Sequence, residues 1–158
     1  MKQAILFVCL GNICRSPTAE VVFRQRATAA GLAVTADSAG TDAWHAGEAP
    51  HPPMRAAALT RGYDLGGLRS RRLTAADFAR FDRVLVMDRR NLADATALWR
   101  QAGQGPRPEM FLDHAPGCGH AEMPDPWYSG TYDLTVDLCE MASDGLIAAL
   151  ARSPYRGR

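Results

Sequence analysis

The run Ala4-Ile5-Leu6-Phe7-Val8 leads directly into Cys9-Leu10-Gly11-Asn12-Ile13-Cys14-Arg15-Ser16, so a strand-like apolar segment ends in a loop with a cysteine and an arginine six positions apart. This spacing allows the intervening backbone N–H groups to converge on one point, and Gly11 is expected to supply the positive φ for that curl. Ser16-Pro17 then predicts a helix with Ser16 as its N-cap and Pro17 at its first position. The positive end of that helix would face the loop, so the segment predicts an anion-binding site that favours Cys9 as a thiolate.

A simpler interpretation of Cys9 is a small buried side chain at the end of a core strand. A plain strand-to-helix turn, however, requires neither an arginine nor a second cysteine such as Cys14. The loop also differs from the nucleotide P-loop, because the chain contains no Gly-Lys pair and its single lysine is Lys2. We therefore interpret the loop as functional.

Outward from this loop, the chain alternates between strand and helix patterns. The patterns predict strands over 3–9, 32–38, 82–87 and 108–112, and helices over 16–30, 51–61, 74–80 (capped at Thr74), 89–102 (ending near Gly103) and 131–152. This order predicts one α/β domain over residues 1–158, a doubly wound four-stranded parallel sheet with helices on both faces. Cys9 would lie at the carboxyl end of the first strand, where such sheets bind ligands.

The composition sets further limits. A chain of 158 residues that is 47% hydrophobic suits a single compact domain. No apolar run approaches the ~20 residues that span a bilayer, and the N-terminus does not resemble a signal peptide, so we expect a cytoplasmic protein without a membrane partner. A net charge of +1 argues against general nucleic-acid binding. Four cysteines, two of them in the loop, fit a reducing compartment.

Cys118 and Cys139 are expected to be structural. Residues 113–120 include metal-type side chains, but no second cluster lies at zinc-finger spacing. We therefore expect neither a metal nor an organic cofactor.

Several motifs together resemble the low-molecular-weight protein tyrosine phosphatases. Residues 8–17 are similar to the family's signature near the N-terminus. Three later segments follow in the family's order, namely Ser38-Ala39-Gly40-Thr41 after the second strand, Val84-Leu85-Val86-Met87-Asp88 at the end of a later strand, and Pro124-Asp125-Pro126-Trp127-Tyr128 as the acid loop. The resemblance runs through the whole chain and implies hydrolysis of phosphotyrosine and aryl phosphates.

The resemblance also implies the catalytic roles. Cys9 would form a phosphocysteine intermediate, Arg15 would clamp the phosphate, and Asp125 would act as general acid and then general base. On the residues alone, the pair Asp125-Pro126 is more typical of a turn. The other expected site residues are the substrate-binding Leu10, Gly11, Asn12, Ile13, Cys14, Ser16, Trp44, Trp127 and Tyr128, with Ser38 and Asp88 in support.

Two details of the loop follow from the same resemblance. Asn12, Ser16 and Ser38 are similar to polar residues that hold the loop open and hydrogen-bond the thiolate, whereas Leu68 stands where some members carry a histidine. Cys14 could form a reversible disulfide with Cys9 and so protect it from irreversible oxidation. A buried structural thiol is an equally good interpretation of Cys14.

Three other functions use related features. An arsenate reductase on the same scaffold would need two further cysteines in a relay, and none follows Met87-Asp88 at a suitable place. Protein arginine phosphatases tend to carry threonine where this chain has Ile13. A phosphotyrosine-binding module would need neither Cys9 nor Asp125. The expected partner is a phosphotyrosine protein, possible examples being a bacterial tyrosine kinase or polysaccharide machinery, and the expected state is a monomer or weak dimer.

Overall fold

The computed structural model describes residues 2–152, and its elements alternate between strand and helix. The strands are β1 (Gln3–Cys9), β2 (Val34–Gly40), β3 (Arg83–Val86) and β4 (Glu109–Met110). The helices are α1 (Arg15–Ala29), α2 (Pro52–Thr60), α3 (Asp77–Arg80), α4 (Arg89–Ala102), α5 (Pro126–Ser129) and α6 (Tyr132–Arg152), with a 3₁₀ helix at Phe111–His114. No helix within residues 2–152 is long and apolar enough to cross a membrane.

The four strands form one parallel sheet in the order β2-β1-β3-β4. The central strand β1 is buried on both faces, so its alternate side chains enter two separate cores. Ile5 and Phe7 pack in one core with residues of α1, α2 and α6. Leu6 and Val8 pack in the other core with residues of α3 and α4. Helices therefore cover both faces, and the predicted fold class is confirmed.

Helix α4 begins and ends as the sequence predicts. The Asp88 carboxylate accepts a hydrogen bond from the Asn91 N–H at 2.8 Å, which caps the helix where β3 ends. Gly103 stops it with a φ of +69°. Because β1 and β3 are parallel neighbours, this cap brings Asp88 to the same sheet edge as Cys9.

Two expectations about the loop backbone are wrong. The positive φ belongs to Asn12 (56°), and Gly11 is not in that region. Asparagine tolerates this conformation because its side chain forms local hydrogen bonds. Helix α1 begins at Arg15 with Cys14 at the N-cap position, so Ser16 lies inside the first turn. The Ser16 hydroxyl bonds Cys9 instead of capping the helix.

Two element boundaries also differ from the prediction. Helix α3 begins only at Asp77, and the Asp77 carboxylate accepts from the Thr74 N–H at 2.8 Å, so Thr74 is not the side-chain cap. The strand predicted at 108–112 is limited to Glu109–Met110. The apolar residues that follow are buried in the 3₁₀ helix, which a short apolar run does not distinguish from a strand.

Candidate active site

A cavity of about 390 Å³ opens where β1 ends. The loop after β1 forms one part of its wall. The segment after β2, the first turn of α4 and the segment around α5 form the rest. The predicted residues on the wall are Cys9, Leu10, Gly11, Ile13, Cys14, Arg15, Trp44, Asp125, Trp127 and Tyr128. The structure thus brings together residues from both ends of the chain.

Carbonyl oxygens of the loop accept hydrogen bonds from backbone N–H groups outside the loop. The Thr41 N–H donates to Cys9 O, the Asp42 N–H to Leu10 O and the His51 N–H to Ile13 O, each at 2.9 Å. The backbone N–H groups of residues 10–14 donate to no acceptor within residues 2–152. A row of unpaired donors around a helix start forms a concave anion site.

Cys9 has a hydroxyl partner at the floor of this loop. The Cys9 Sγ lies 3.0 Å from Ser16 Oγ, and Ser16 Oγ accepts a hydrogen bond from Asn12 Nδ2 at 2.7 Å. Ser16 Oγ accepts this bond, so its own proton can point at the sulfur, and the alternative acceptor Ala39 O lies further away at 3.4 Å. All three side chains are buried, so the contact is shielded from water.

Asn12 is held in turn by the segment before α3. The Asn12 Oδ1 accepts from the Arg71 N–H at 3.0 Å, and Ser70 Oγ donates to Gly11 O at 2.9 Å. Leu68, which stands where some family members were expected to carry histidine, packs against the hydrophobic core. Ser70 and Arg71 therefore supply hydrogen bonds to the loop on the side where Leu68 replaces the histidine of some family members.

The Arg71 guanidinium is itself anchored by two carboxylates. It contacts both oxygens of buried Asp77 at 3.0 and 3.1 Å, and Asp37 Oδ2 at 3.0 Å. Burial alone lowers the pKa of Arg71, but Asp77 and Asp37 outweigh this effect and the net direction is upward. Arg71 is thus a permanent cation behind the loop.

Ser38 has a different partner from the one expected. Its hydroxyl donates to Glu20 Oε1 at 2.7 Å, so no hydrogen bond from Ser38 to the thiolate is present in the described contacts. Burial raises the pKa of Glu20, although Ser38 and Arg24 act in the opposite direction. Ser38 therefore joins β2 to α1 behind the site.

Arg15 is clamped at the cavity wall with 3% of its side chain exposed. Its Nη1 donates to Asp88 Oδ2 at 2.7 Å and to Met123 O at 3.1 Å, and its Nη2 lies 3.5 Å from Asp125 Oδ2. Burial lowers the pKa of Arg15, but the charges of Cys9, Asp88 and Asp125 reverse this direction. The guanidinium stays charged and is fixed in one orientation.

Asp125 stands at the start of α5. Its Oδ1 accepts from the Trp127 N–H at 3.1 Å, which caps this short helix. The Trp127 ring lies 4.5 Å from the His51 ring and 5.7 Å from the His45 ring, measured between centroids. Trp44 and Tyr128 are largely exposed on the cavity rim. The cavity rim therefore consists of aromatic side chains next to the Asp125 carboxylate.

The buried thiol of Cys14 differs from Cys9. Burial, together with the nearby charges of Cys9 and Asp125, raises the pKa of Cys14 to about 12. Cys14 is therefore a neutral thiol at physiological pH. All four cysteines are free.

The sequence did not indicate three residues of the cavity wall, Asp42, His45 and Arg90. A Cβ on Gly11 would lie 3.0 Å from His45 Cδ2, so a larger residue at this position would require His45 to shift. These residues carry no motif of their own, and only the tertiary contact identifies them. Within residues 2–152, no cluster of three or more metal-type side chains is positioned to hold a metal.

Comparison with known proteins agrees with this geometry. Residues 4–155 match the family described as low molecular weight phosphotyrosine protein phosphatase. The chain is 38% identical over 152 residues to a putative low molecular weight protein-tyrosine-phosphatase of Synechocystis, covering 94% of this chain and 96% of that protein. It is 37% identical over 164 residues to a low molecular weight protein-tyrosine-phosphatase of Streptomyces coelicolor, covering 100% and 99%.

Solved structures give the same result. The crystal structure of YfkJ from Bacillus subtilis superposes with a TM-score of 0.91 at 31% identity, covering 98% of both chains. Fold, loop and relatives together define a hydrolase of the protein-tyrosine-phosphatase class. Within that class, the chain belongs to the low molecular weight phosphotyrosine protein phosphatase family.

Proposed function

We propose that this enzyme hydrolyses phosphotyrosine in proteins, and small aryl phosphates, with Cys9 as nucleophile, Arg15 as phosphate clamp and Asp125 as general acid and base. The observation that carries the proposal is the convergence of these three side chains on one cavity beside the unpaired N–H groups of residues 10–14. In that position a phosphate dianion would meet Arg15 and the loop donors together.

In the first step, Cys9 Sγ attacks phosphorus while the bond from phosphorus to the phenolic oxygen breaks. The leaving oxygen takes the proton of Asp125, which has to enter this step in its acid form. Backbone donors of Leu10, Gly11 and the residues up to Arg15 hold the equatorial oxygens. These fixed donors stabilise the charge of the transition state without having to reorganise.

In the second step, the Asp125 carboxylate removes a proton from water, and the water oxygen attacks phosphorus as the S–P bond breaks. Cys9 leaves as a thiolate and accepts the hydrogen bond of Ser16, whose oxygen lies 3.0 Å away. Inorganic phosphate leaves, and Asp125 is an acid again. Asn12 serves by orienting Ser16, and Asp88 by orienting Arg15.

The cavity rim supports an aryl substrate. Trp44, Trp127 and Tyr128 line the cavity together with Asp125, and a phenyl ring packs well against aromatic side chains. We further propose a phosphotyrosine protein, such as a bacterial tyrosine kinase, as the substrate. A cytoplasmic location and a monomer or weak dimer are further parts of this proposal.

Cysteine placement does not favour the arsenate reductase alternative. Cys139 is fully buried in α6, and burial raises its pKa, so it is a poor relay nucleophile. The non-catalytic alternative gives no reason for Asp125 beside the Arg15 guanidinium at the cavity. The experiment below distinguishes phosphotyrosine from phosphoarginine hydrolysis, because it measures both substrates.

The test measures phosphate release from a phosphotyrosine peptide and a phosphoarginine peptide. The parent protein should hydrolyse the phosphotyrosine peptide, Cys9→Ser should abolish turnover, and Cys118→Ser should match the parent. Asp125→Asn should lower kcat by about 10²–10⁴-fold, as expected for loss of a general acid. Turnover of neither peptide would contradict the proposal, and exclusive turnover of the phosphoarginine peptide would reassign the substrate.

A further inference from the structure

Arg90 is an exposed arginine on the wall of the same cavity. It is the second residue of α4, directly after Arg89 and two positions after the Asp88 cap. The sheet edge that delivers Asp88 to Arg15 thus also delivers a second guanidinium to the cavity. Nothing in the phosphoryl transfer described above uses it.

The place of Arg90 in the helix is electrostatically unfavourable. The first turn of a helix disfavours cations, because the unpaired N–H groups there carry partial positive charge. Arg89 has a carboxylate partner in Glu122 at 3.6 Å. Arg90 has no ion-pair partner within residues 2–152, and Asp94, one turn further along, is not within ion-pair distance. An uncompensated local conflict of this kind is typical of functional positions.

The other basic side chains on the cavity wall already contact a carboxylate. Arg15 faces Asp88 and Asp125, and His45 Nδ1 contacts the Glu48 carboxylate. Asp42 adds a negative charge to the wall. Among the described residues of this wall, Arg90 is therefore the basic side chain without a carboxylate partner, and its charge is available to a ligand.

We propose that Arg90 binds a second anionic group of the substrate, the carboxylate of an aspartate or glutamate near the phosphotyrosine. This inference rests on the function proposed above and narrows its substrate class to acidic phosphotyrosine segments. The phosphoryl group occupies the loop around Cys9, so the flanking residues of the peptide pass the rim, where Arg90 lies. A guanidinium fork matches a carboxylate with two parallel hydrogen bonds.

The test compares phosphotyrosine peptides that differ only in glutamate or glutamine at one of the three positions before or after the phosphotyrosine. For the parent, kcat/KM should favour the glutamate peptide by about 3- to 10-fold at one position or more, mainly through KM, as for a partly exposed charge pair. Arg90→Gln should bring this ratio to about 1, and Arg90→Glu should reverse it. Raising the salt concentration should also lower the ratio in the parent.

Arg89→Gln is the matched control, because it removes the same charge one residue away, outside this cavity, and should keep the parent's ratio. Arg90→Gln should not lower the melting temperature, since it removes a cation from the first turn of α4. Arg89→Gln should change the melting temperature little, because the ion pair that it loses is exposed. A parent ratio near 1 at every position would overturn the role of Arg90, as would an unchanged ratio in Arg90→Gln or an equal loss in Arg89→Gln. In each case the phosphatase proposal would stand, whereas a parent that hydrolyses no phosphotyrosine peptide would remove both.

Discussion

Ser16 makes the most direct contact with Cys9 at the residue scale. Its hydroxyl is the side-chain donor placed at the sulfur, and a hydrogen bond to a charged group contributes roughly 1.5–3 kcal/mol. Ser16→Ala should therefore slow alkylation of Cys9 by iodoacetamide at neutral pH, and lower kcat, by roughly 10- to 100-fold. Mass spectrometry of the Cys9 peptide and steady-state kinetics measure the two effects.

Ser143→Ala is the control for this substitution. Ser143 is also buried, but its hydroxyl has no hydrogen-bond partner among the described residues, so the variant should retain the parent's alkylation rate. Equal alkylation rates in Ser16→Ala and the parent would show that the hydroxyl does not stabilise the thiolate.

Cys14 leads to a prediction about oxidation. Peroxide would convert the Cys9 thiolate to a sulfenic acid, which condenses with the Cys14 thiol to give a disulfide and water. Because burial keeps Cys14 protonated up to about pH 12, we expect this condensation to speed up as the pH rises towards that value. Peroxide-treated parent should regain activity with added thiol, whereas Cys14→Ser should regain less. Equal recovery would leave Cys14 as a structural thiol.

The loop residues show which features can be predicted from the local sequence. The spacing of Cys9 and Arg15 predicted the anion site from local sequence alone. The local sequence also predicted a positive φ at Gly11, although Asn12 adopts it. The Asn12 side chain is held by Ser16 and by the distant Arg71 N–H, and a local pattern contains no information about the second contact.

Glu20 links two elements, because it lies on α1 and accepts the hydroxyl of Ser38 on β2. Its pKa in the folded state is raised above the usual 4.5 by burial. The unfolded chain therefore ionises Glu20 first, and the folded state loses stability relative to it as the pH rises from about 4.5 through the raised pKa. Glu20→Gln keeps an acceptor for Ser38 but has no proton to lose.

We therefore expect the free energy of unfolding of the parent, relative to Glu20→Gln, to fall over that pH window and then level off. Urea denaturation at a series of pH values measures this difference. Glu122→Gln, which makes the same replacement at a more exposed carboxylate, is measured alongside as the control. A difference that rises with pH would mean that Arg24 and Ser38 outweigh the cost of burial.

Whole elements were predictable where their signals are local. Helix α4 occupies the predicted residues because Asp88 and Gly103 mark its ends in the sequence. Strand β4 is shorter than predicted because the apolar residues after Met110 are buried by packing under α6 and not by pairing in the sheet. Burial of an apolar run is visible in the sequence, but the element that buries it is not.

Arg71 connects parts of the whole molecule. It joins Asp37 of β2 and Asp77 of α3, and its backbone holds Asn12 in the loop. Arg71→Met would leave fully buried Asp77 without its bidentate partner, so we expect a loss of about 3 kcal/mol in the free energy of unfolding. The Arg71 guanidinium also fixes the segment whose backbone N–H holds Asn12, so this N–H should be less well placed in Arg71→Met and kcat should fall as well, by more than KM changes.

Arg72→Met is the matched control, because Arg72 is the exposed neighbour, and its effect on stability should be small. Urea denaturation and steady-state kinetics measure both variants, and Arg71→Lys should lie between Arg71→Met and the parent. A stable Arg71→Met protein with the parent's kcat would show that the loop holds its shape without this anchor.

The resemblance of the chain's motifs indicated the family. The sequence by itself determined the strand, loop and helix around Cys9 and the alternation that yields a doubly wound parallel sheet. These features depend on neighbours along the chain, whose geometry is set by local sterics and hydrophobic periodicity. Only the tertiary structure decided which distant groups meet. Asp88 and Asp125 reach Arg15 from 73 and 110 positions away, and Arg71 reaches Asn12 from 59. Parallel strands and buried cores bring such groups to one edge, and no local pattern encodes that packing.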